Sequence, residues 1–308
     1  MNVLAHADAI DLGRHVEAGT AALAYLDPPF AVGVRFGART KAKEHRAEGP
    51  VAYDDRWPSI DAYLAWLEPR VRAVRAALSP RGTMWLHLDH RAVHEAKRIC
   101  DAIFSPGAFT GEIIWVPGNG AKGRRGLGIT HQTILVYAAG DDYVWHARDP
   151  VLRAPFAATS LSMHFKNKTA DGRAYRDRTV GGRTYRYFAD EGRAIGSVWT
   201  DCPAMVANTP LRSETTGYPT QKPLKLLDRI VRAASEPGGL VIDPFCGSGT
   251  TLEAAARAGR QFFGSDVGEL AISTGTARLR AAGIAFELRT TAGDPAGTAA
   301  RAQPSPVR

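Results

Sequence analysis

Residues 238–251 constrain the fold of this 308-residue chain more than any other stretch; they read Gly-Gly-Leu-Val-Ile-Asp-Pro-Phe-Cys-Gly-Ser-Gly-Thr-Thr. The apolar run at residues 240–242 is of the kind that forms a buried parallel strand. Gly247 and Gly249 then supply a tight turn with room for a ligand against the backbone, and a helical pattern begins at Thr250. A strand, a glycine turn and a helix N-terminus in this order commonly hold a nucleotide-like cofactor. The stretch therefore predicts an α/β fold with a cofactor site at the turn.

The known phosphate-binding signatures fit this turn poorly. A P-loop needs a lysine directly after its last glycine, and none follows Gly249. A dinucleotide fingerprint needs a third glycine, and the chain has Leu252 there. The turn therefore suits a cofactor without phosphates, while an ordinary glycine turn without a ligand is the alternative.

A second motif, Asp27-Pro28-Pro29-Phe30, follows an apolar run at residues 21–26. An exocyclic amine is a weak nucleophile because its lone pair is delocalised into the base ring. The Asp27 carboxylate and the Pro28 carbonyl offer such an amine two acceptors, and Pro29 has no N–H that competes for the lone pair. Phe30 offers a ring on which an extruded base can stack. These residue types suit methylation of an amine, and a rigid strand-ending turn is the alternative.

Basic residues are concentrated in a chain whose net charge is +8, which suits a polyanionic partner. Residues 31–53 and 117–128 are basic and rich in glycine. Residues 151–193 carry nine lysines and arginines against four acids, with six aromatic residues interleaved, a pattern typical of a nucleic-acid surface. A solvated β-hairpin about Gly181 and Gly182 is the alternative. The candidate DNA contacts are Arg39, Lys41, Arg124, Arg173, Arg176, Arg183 and Arg186.

Composition argues against several other classes. No apolar run approaches the roughly 18 residues of a membrane span, and the N-terminus lacks the basic region of a secretory signal. Cys100, Cys202 and Cys246 are scattered and odd in number, which favours a reducing cytoplasm and disfavours disulfides and a zinc site. The histidines show no metal-ligand spacing, so we expect no metal.

Three motifs in this order resemble those of the beta-class DNA amino-methyltransferases: Asp-Pro-Pro-Phe at 27–30, Thr-Gln-Lys-Pro at 220–223, and Asp-Pro-Phe-Cys-Gly-Ser-Gly-Thr-Thr at 243–251. Weaker matches are Trp85-Leu-His-Leu-Asp, Glu112-Ile-Ile-Trp and His131-Gln-Thr-Ile-Leu-Val-Tyr. The resemblance covers residues 3 to about 280, and the motifs together are far more specific than any one alone. The chain departs from the family at Phe30, where tyrosine is commoner.

The resemblance implies an α/β, Rossmann-like methyltransferase sheet of seven strands in circularly permuted order, with an inserted target-recognition region. It divides the chain into a catalytic half at residues 1–148, a target-recognition region at 149–211 and a cofactor-binding half at 212–290. Residues 291–308, rich in alanine, glycine, proline and threonine, are expected to form a disordered tail.

The implied cofactor is S-adenosylmethionine. Asp27, Pro28, Pro29 and Phe30 would be catalytic. Asp8 would contact the cofactor adenine and Asp266 its ribose, while Thr220 and Lys222 would close the far side. The residues implied to cradle the methionine and neighbouring atoms are Asp243, Phe245, Cys246, Gly247, Ser248, Gly249 and Thr250.

Within this family Asp27 is typical of N6-adenine enzymes, whereas serine is typical of N4-cytosine enzymes. The resemblance therefore favours methylation of adenine N6 in duplex DNA through a flipped base, with N4-cytosine as the alternative. Covalent C5-cytosine methylation is disfavoured because Phe30 stands where that chemistry needs a cysteine. RNA and protein-glutamine methyltransferases also use an Asx-Pro-Pro-aromatic motif, but they usually carry the cofactor motif first. They are disfavoured because Asp27 precedes Asp243 in this chain. A DNA-binding protein of the same fold without catalysis is a further alternative.

The partner implied by the resemblance is double-stranded DNA, in the cytoplasm and associated with the nucleoid, with no membrane contact. A homodimer and a cognate restriction endonuclease are further partners that it leaves open.

Overall fold

The structure is a computed structural model that describes residues 2–38, 50–118, 126–205 and 213–290. Three predicted DNA contacts, Arg39, Lys41 and Arg124, lie outside the described residues, and so does the predicted tail at 291–308. Among the described residues, no helix is both long enough and apolar enough to cross a membrane.

The described chain alternates strands and helices over most of its length. The strands are β1 (Val3–His6), β2 (Ala21–Leu26), β3 (Arg35–Gly37), β4 (Val51–Asp54), β5 (Leu78–Leu88), β6 (Phe109–Trp115), β7 (Gln132–Ala138), β8 (Arg153–Ala154), β9 (Asn167–Lys168), β10 (Ala174–Val180), β11 (Arg183–Phe188), β12 (Arg193–Ala194), β13 (Val198–Trp199), β14 (Leu240–Asp243), β15 (Gln261–Asp266) and β16 (Glu287–Arg289). The α-helices are α1 (Ile60–Ala77), α2 (Val93–Phe104), α3 (Ala158–His164), α4 (Leu224–Ala234), α5 (Thr250–Arg257) and α6 (Glu269–Ala281).

Nine strands of the described chain form the central sheet, in the order β13-β6-β7-β5-β2-β14-β15-β1-β16. Strand β7 runs antiparallel to β5 and β6, and the other neighbouring pairs are parallel. The predicted α/β class is therefore confirmed, but the sheet has two strands more than the seven expected. Its two outermost strands, β13 and β16, are only two and three residues long. The permuted order implied by the family stays a prediction.

The middle of the sheet is buried on both faces. In β2, Ala24 and Leu26 belong to a core cluster shared with α1 and α2, while Leu23 and Tyr25 belong to a cluster shared with α4, α5 and α6. Successive side chains of a strand point to opposite faces, so β2 supplies both cores in alternation. This double burial explains why the sequence shows a continuous apolar run here and no alternation.

Helix α1 contains Pro69. Proline lacks the N–H that would bond to the carbonyl four residues earlier, and inside a helix it commonly produces a kink or a break. The helix is not split, and it continues through Pro69 to Ala77. The carbonyl that loses its partner belongs to Ala65, which is exposed, so water can take the place of the missing donor.

Most of residues 151–193 stand apart from the central sheet. Strands β9, β10 and β11 form a separate three-stranded sheet, and β8 pairs with β12. The β10–β11 hairpin turns at Gly181 and Gly182, where both glycines have positive φ, as the sequence alternative expected.

Gly249 lies where α5 meets α6, in a position that no other residue type fits easily. Its φ is +77°, and a Cβ built on it would lie 3.2 Å from the Cα of Gly275 in α6. The space beside Gly249 is therefore taken by a neighbouring helix, which differs from the expectation of room for a ligand at this position. Gly249 is required by the turn and by helix packing.

Gly249→Ala should lower the free energy of unfolding by about 1–3 kcal/mol, since a left-handed residue that also crowds α6 is strained in two ways. Gly259→Ala is the matched control, because Gly259 has φ +74° with nothing within 4 Å of its Cβ position. Urea denaturation should show the larger loss for Gly249→Ala. Equal losses would mean that the contact with Gly275 has no energetic effect.

Candidate active site

Five carboxylates follow strands of the sheet at one edge. Parallel strands carry their carboxyl ends to the same side, and here β1, β2, β5, β14 and β15 are all parallel. The residues at or just after these ends are Asp8, Asp27, Asp89, Asp243 and Asp266. Clefts outside the carboxyl ends of an open α/β sheet are the usual place for ligands.

Asp27 is paired with Lys222, a residue of the segment that leads into α4. The Lys222 ammonium contacts Asp27 Oδ2, and the two side chains are only 7% and 17% exposed. The other carboxylate oxygen, Asp27 Oδ1, is buried and has no hydrogen-bond partner in the described structure. Burial raises the pKa of Asp27, and the charge of Lys222 counteracts part of that increase. The site thus contains one buried acceptor that no protein group uses.

Phe30 lies beside this acceptor within a small group of rings. Its ring centroid is 5.8 Å from that of His87 and 5.1 Å from the Lys222 ammonium. His87 is fully buried, and its Nδ1 forms a 2.7 Å hydrogen bond with the Tyr25 hydroxyl. Burial and the charge of Lys222 hold the pKa of His87 well below its usual value, so the imidazole is neutral. The Phe30 ring therefore lies beside a neutral imidazole and the Lys222 ammonium.

Asp55 holds the turn after Phe30 in place, which the sequence analysis missed. Its carboxylate accepts hydrogen bonds from the backbone N–H groups of Phe30 (3.1 Å), Ala31 (2.8 Å) and Val32 (3.0 Å). It also accepts from the indole N–H of Trp57 at 3.0 Å. Burial raises the pKa of Asp55, and these donors oppose the increase. No local pattern marks this residue, because its backbone partners are more than 20 residues away in sequence.

The glycine turn is closed by its own hydrogen bonds. Asp243 Oδ1 accepts from the N–H of Phe245 at 3.1 Å, and the Gly249 N–H donates to the carbonyl of Cys246 at 2.7 Å. Burial raises the pKa of Asp243 to about 7 and raises that of the Cys246 thiol. Ser248 and Thr250 are buried with their hydroxyls 3.2 Å apart. Asp243 therefore shapes the turn, and its predicted contact with a cofactor stays a prediction.

Asp266 connects the glycine turn with the start of α6. Its two carboxylate oxygens accept from the N–H groups of Gly247 (3.0 Å) and Gly268 (2.9 Å). On the other side, a Cβ at Gly247 would lie 3.1 Å from the ring of Tyr218. Gly247, with φ +47°, therefore lets this ring lie directly on the turn.

Thr220 approaches the same region from the segment before α4. It has φ +58°, uncommon for a β-branched residue, and its hydroxyl lies 3.1 Å from that of Tyr53. Burial raises the pKa of Tyr53, so its phenol stays protonated. The structure brings Thr220 and Lys222 to the carboxyl edge, where Lys222 contacts Asp27. Their implied role of closing the far side of the cofactor stays a prediction.

The Asp8 carboxylate forms hydrogen bonds with other residues of the protein. The Arg70 guanidinium donates two hydrogen bonds to the Asp8 carboxylate, one of them 2.9 Å from Nε to Oδ1. Asp8 also accepts a hydrogen bond from the N–H of Ile10. The Arg70 guanidinium stacks on Trp66 at 4.2 Å, and Trp66 packs 5.8 Å from Phe245. This pairing links Asp8 to the glycine turn, and its predicted contact with adenine stays a prediction.

The four described candidate DNA contacts lie on or beside the β10–β11 hairpin and differ from one another. Arg173 pairs with Asp190 and Glu191, and Arg186 pairs with Asp177. Arg176 packs against the rings of Phe156, Phe165 and Tyr187. Arg183 is exposed beside the turn, with no ion-pair partner among the residues that the structure describes.

The DNA methylase family model N6_N4_Mtase matches residues 21–276. The chain is 29% identical to the type II methyltransferase M.EcaI of Enterobacter cloacae over 84% of this chain, and it spans 64% of that protein's length. It is 26% identical to the DNA adenine methyltransferase YhdJ of Escherichia coli K12, over 89% of this chain and 81% of YhdJ.

A solved structure shares the fold. A Thermus thermophilus protein described as a DNA modification methylase, solved in complex with S-adenosylmethionine, superimposes with a TM-score of 0.55. The alignment covers 94% of this chain and 99% of that one at 18% identity. Because the family model spans most of the chain, from β2 into α6, the chain belongs to the N6/N4 DNA methylase family.

Proposed function

We propose that the chain transfers a methyl group from S-adenosylmethionine to an exocyclic amino group of a DNA base. The observation that carries this proposal is the buried Oδ1 atom of Asp27, which has no partner in the described structure and belongs to the same turn as Phe30. A buried acceptor without a protein partner is costly unless a ligand or a water molecule donates a hydrogen bond to it. An amine with two N–H groups is a suitable ligand.

The residues around the glycine turn fit S-adenosylmethionine and not a phosphate. A phosphate-binding turn presents free N–H groups, but here those of Phe245, Cys246 and Gly247 are bonded to Asp243, the Ser265 carbonyl and Asp266. The surrounding carboxylates would repel a phosphate and attract a cation. When bound, S-adenosylmethionine supplies an electrophilic methyl group on a positively charged sulfur. The turn at 243–250, Thr220 and Asp266 would hold it.

Asp27 and Pro28 would orient the amine for attack. Asp27 Oδ1 accepts one N–H and the Pro28 carbonyl the other, so that the nitrogen lone pair points towards the methyl group. The carboxylate also stabilises the positive charge that develops on the nitrogen. Transfer is direct, because Cys246 is buried and burial raises the pKa of its thiol, which leaves it unsuited to act as a nucleophile.

Adenine N6 is the proposed target, reached by a base that leaves the duplex and stacks on Phe30. Asp27 supports this choice because the family resemblance associates aspartate at that position with adenine enzymes. One of the relatives, YhdJ, is named a DNA adenine methyltransferase. N4 of cytosine offers the same NH₂ geometry and is the second candidate. A homodimer and a cognate restriction endonuclease stay predictions.

We further propose that one face of the β10–β11 hairpin contacts the DNA. Residues opposite each other in an antiparallel pair share a face, as do alternate residues along a strand. One face carries the Asp177–Arg186 ion pair and the Thr179–Thr184 hydroxyl contact, so its charge is balanced. The other face carries an exposed set of residues without an ion-paired acid in the described structure: Arg178, Val180, Arg183 and Tyr185. That face combines positive charge with an aromatic ring, as nucleic-acid surfaces do.

Asp27→Ala should lower kcat for DNA methylation by about 10²–10³-fold, the usual effect of removing one preorganised polar group from a transition state. Binding of S-adenosylmethionine by calorimetry should persist, which also reports that the variant is folded. Asp142→Ala is the control, because Asp142 is a largely exposed acid paired with Arg81 at the surface. Retention of more than about a tenth of the wild-type kcat, a difference of only ~1.4 kcal/mol, would remove Asp27 from the chemistry.

The reaction itself can be read from the product. Tritium from labelled cofactor should appear in N6-methyladenine after digestion of duplex DNA to nucleosides. Label found only in N4-methylcytosine would change the base and keep the mechanism. A folded, cofactor-binding protein that labels RNA or protein but never DNA would disprove the proposed function.

Arg178→Ala and Arg183→Ala should each weaken duplex binding and reduce the slope of log K against log salt by about one unit if they contact phosphates. A base contact would instead relax sequence preference. Arg186→Ala is the matched control on the opposite face of the same hairpin, and its effect should be smaller because Asp177 already balances its charge. Fluorescence anisotropy over a range of KCl concentrations measures both quantities. Unchanged affinity, slope and specificity in the first two variants would return this face to a solvated surface.

A further inference from the structure

Lys222 is a buried cation whose counter-charge is the proposed catalytic carboxylate. Its side chain is 7% exposed, and Asp27 is the acid with which it forms an ion pair in the described structure. An ammonium group that is removed from water without a partner costs several kcal/mol, so the pair is a strong constraint on both side chains. The sequence motif places Lys222 at the cofactor, whereas its ammonium lies on the carboxylate that would receive the amine.

The backbone on either side of Lys222 is fixed. The amide of Gln221 accepts from the N–H of Thr216 at 3.0 Å and donates to the carbonyl of Glu214 at 2.8 Å. On the other side, Pro223 is the N-cap of α4, whose first N–H group, that of Leu224, donates to the Glu214 carboxylate at 3.0 Å. Lys222 thus approaches Asp27 from a segment that hydrogen bonds on both sides hold in place.

The ion pair makes the two oxygens of the Asp27 carboxylate differ in their contacts. Lys222 contacts Oδ2 alone, which leaves Oδ1 without a partner in the described structure. The ammonium also lies 5.1 Å from the centroid of the Phe30 ring, where cation–π attraction helps to fix its position. The open oxygen, Oδ1, therefore lies on the side of the carboxylate that Lys222 does not contact.

Among the residues that the structure describes, the other ionisable groups around Asp27 supply no positive charge. They come from β2, β4, β5, β14, α1 and the segment before α4: Tyr25, Tyr53, His87, Asp243, Tyr63 and Tyr218. Burial raises the pKa of each tyrosine and lowers that of His87, so these groups are neutral. Asp243, whose pKa burial raises to about 7, adds negative charge when ionised. Lys222 is the group here that favours the ionised form of Asp27.

We propose that Lys222 is a positioning residue that keeps Asp27 ionised and leaves its Oδ1 atom open to accept an N–H from the target amine. This proposal rests on the proposed amine methylation, since it gives the carboxylate the role of an acceptor. A protonated Asp27 would present an O–H donor instead, and a donor competes for the lone pair that must attack the methyl group.

Removal of the positive charge should shift the pH dependence of activity. In Lys222→Met the pKa of Asp27 should rise, so the acidic limb of the kcat profile should move to higher pH by about one unit or more. At pH values below the acidic limb, kcat of Lys222→Met should be about tenfold lower than that of the wild type. At higher pH the kcat of the variant should recover. The Kd for S-adenosylmethionine should stay within about threefold, because Lys222 acts on Asp27.

Two further variants separate charge from packing. Lys222→Arg retains the positive charge and should keep the wild-type acidic limb. Lys222→Gln retains a donor for Oδ2 without the charge and should shift the limb as methionine does. It also carries the same test if Lys222→Met does not accumulate as folded protein, because a glutamine leaves Asp27 with a hydrogen bond.

A readout independent of methyl transfer is the titration of the Asp27 carboxyl in cofactor-free protein. Its ¹³C resonance can be assigned by its absence in Asp27→Asn, and its midpoint should rise in Lys222→Gln and not in Lys222→Arg. Unchanged midpoints with a more than tenfold loss of S-adenosylmethionine affinity would overturn the proposal and assign Lys222 to the cofactor. Loss of kcat by one factor at every pH would also overturn it. Failure of the wild type to methylate DNA would instead count against the proposed function, and the carboxyl titration would still decide the role of Lys222.

Discussion

Parallel pairing of β2 with β14 is the constraint on which the site depends. Ala24 and Ile242 are register partners at the centre of the sheet, although they lie far apart in sequence. Because the strands are parallel, the Asp-Pro-Pro-Phe turn and the glycine turn leave the sheet at the same edge. The proposed amine acceptor and the proposed cofactor turn lie at the same edge because that pairing forms. Burial of β2 and β14 against helices on both faces then makes the register hard to change. A slip of one residue would move every side chain of the strand to the opposite face of the sheet.

The carboxyl edge gathers five aspartates, and each is stabilised in a different way. Arg70 neutralises Asp8, Arg91 pairs with Asp89, backbone N–H groups solvate Asp266, and the glycine turn hydrogen-bonds Asp243. Asp27 alone among these five retains a buried oxygen without a partner in the described structure. A set of like charges would oppose folding if its members were left unpaired, so the partners of the other four aspartates are a condition of the fold. The incomplete one is the residue to which we assign the chemistry.

Local patterns in the sequence predicted much of this fold but not its tertiary contacts. The apolar runs of β2 and β14 and the hairpin turn at Gly181 and Gly182 are encoded within a few residues, and the structure confirms them. The Asp8–Arg70 pair spans 62 residues and the Asp27–Lys222 pair spans 195, so no periodicity reports either. The role of Asp55 could not be predicted from the sequence either, because three of its partners are backbone N–H groups, which nearly every residue type has. The family resemblance implied that Lys222 closes the cofactor site, but only the three-dimensional packing shows that its ammonium contacts Asp27.

The proposed chemistry and the proposed target recognition belong to different parts of the molecule. The site is built at the ends of central strands that both cores hold, where a change of one residue alters packing on two faces. The β10–β11 hairpin belongs to a separate small sheet, and most of its residues near the turn are exposed. Substitutions on its unbalanced face therefore remove few buried contacts and cost little stability. On the proposed assignment, the recognised sequence can change while Asp27, Lys222 and the glycine turn keep their positions, because the two regions share no strand in the described structure.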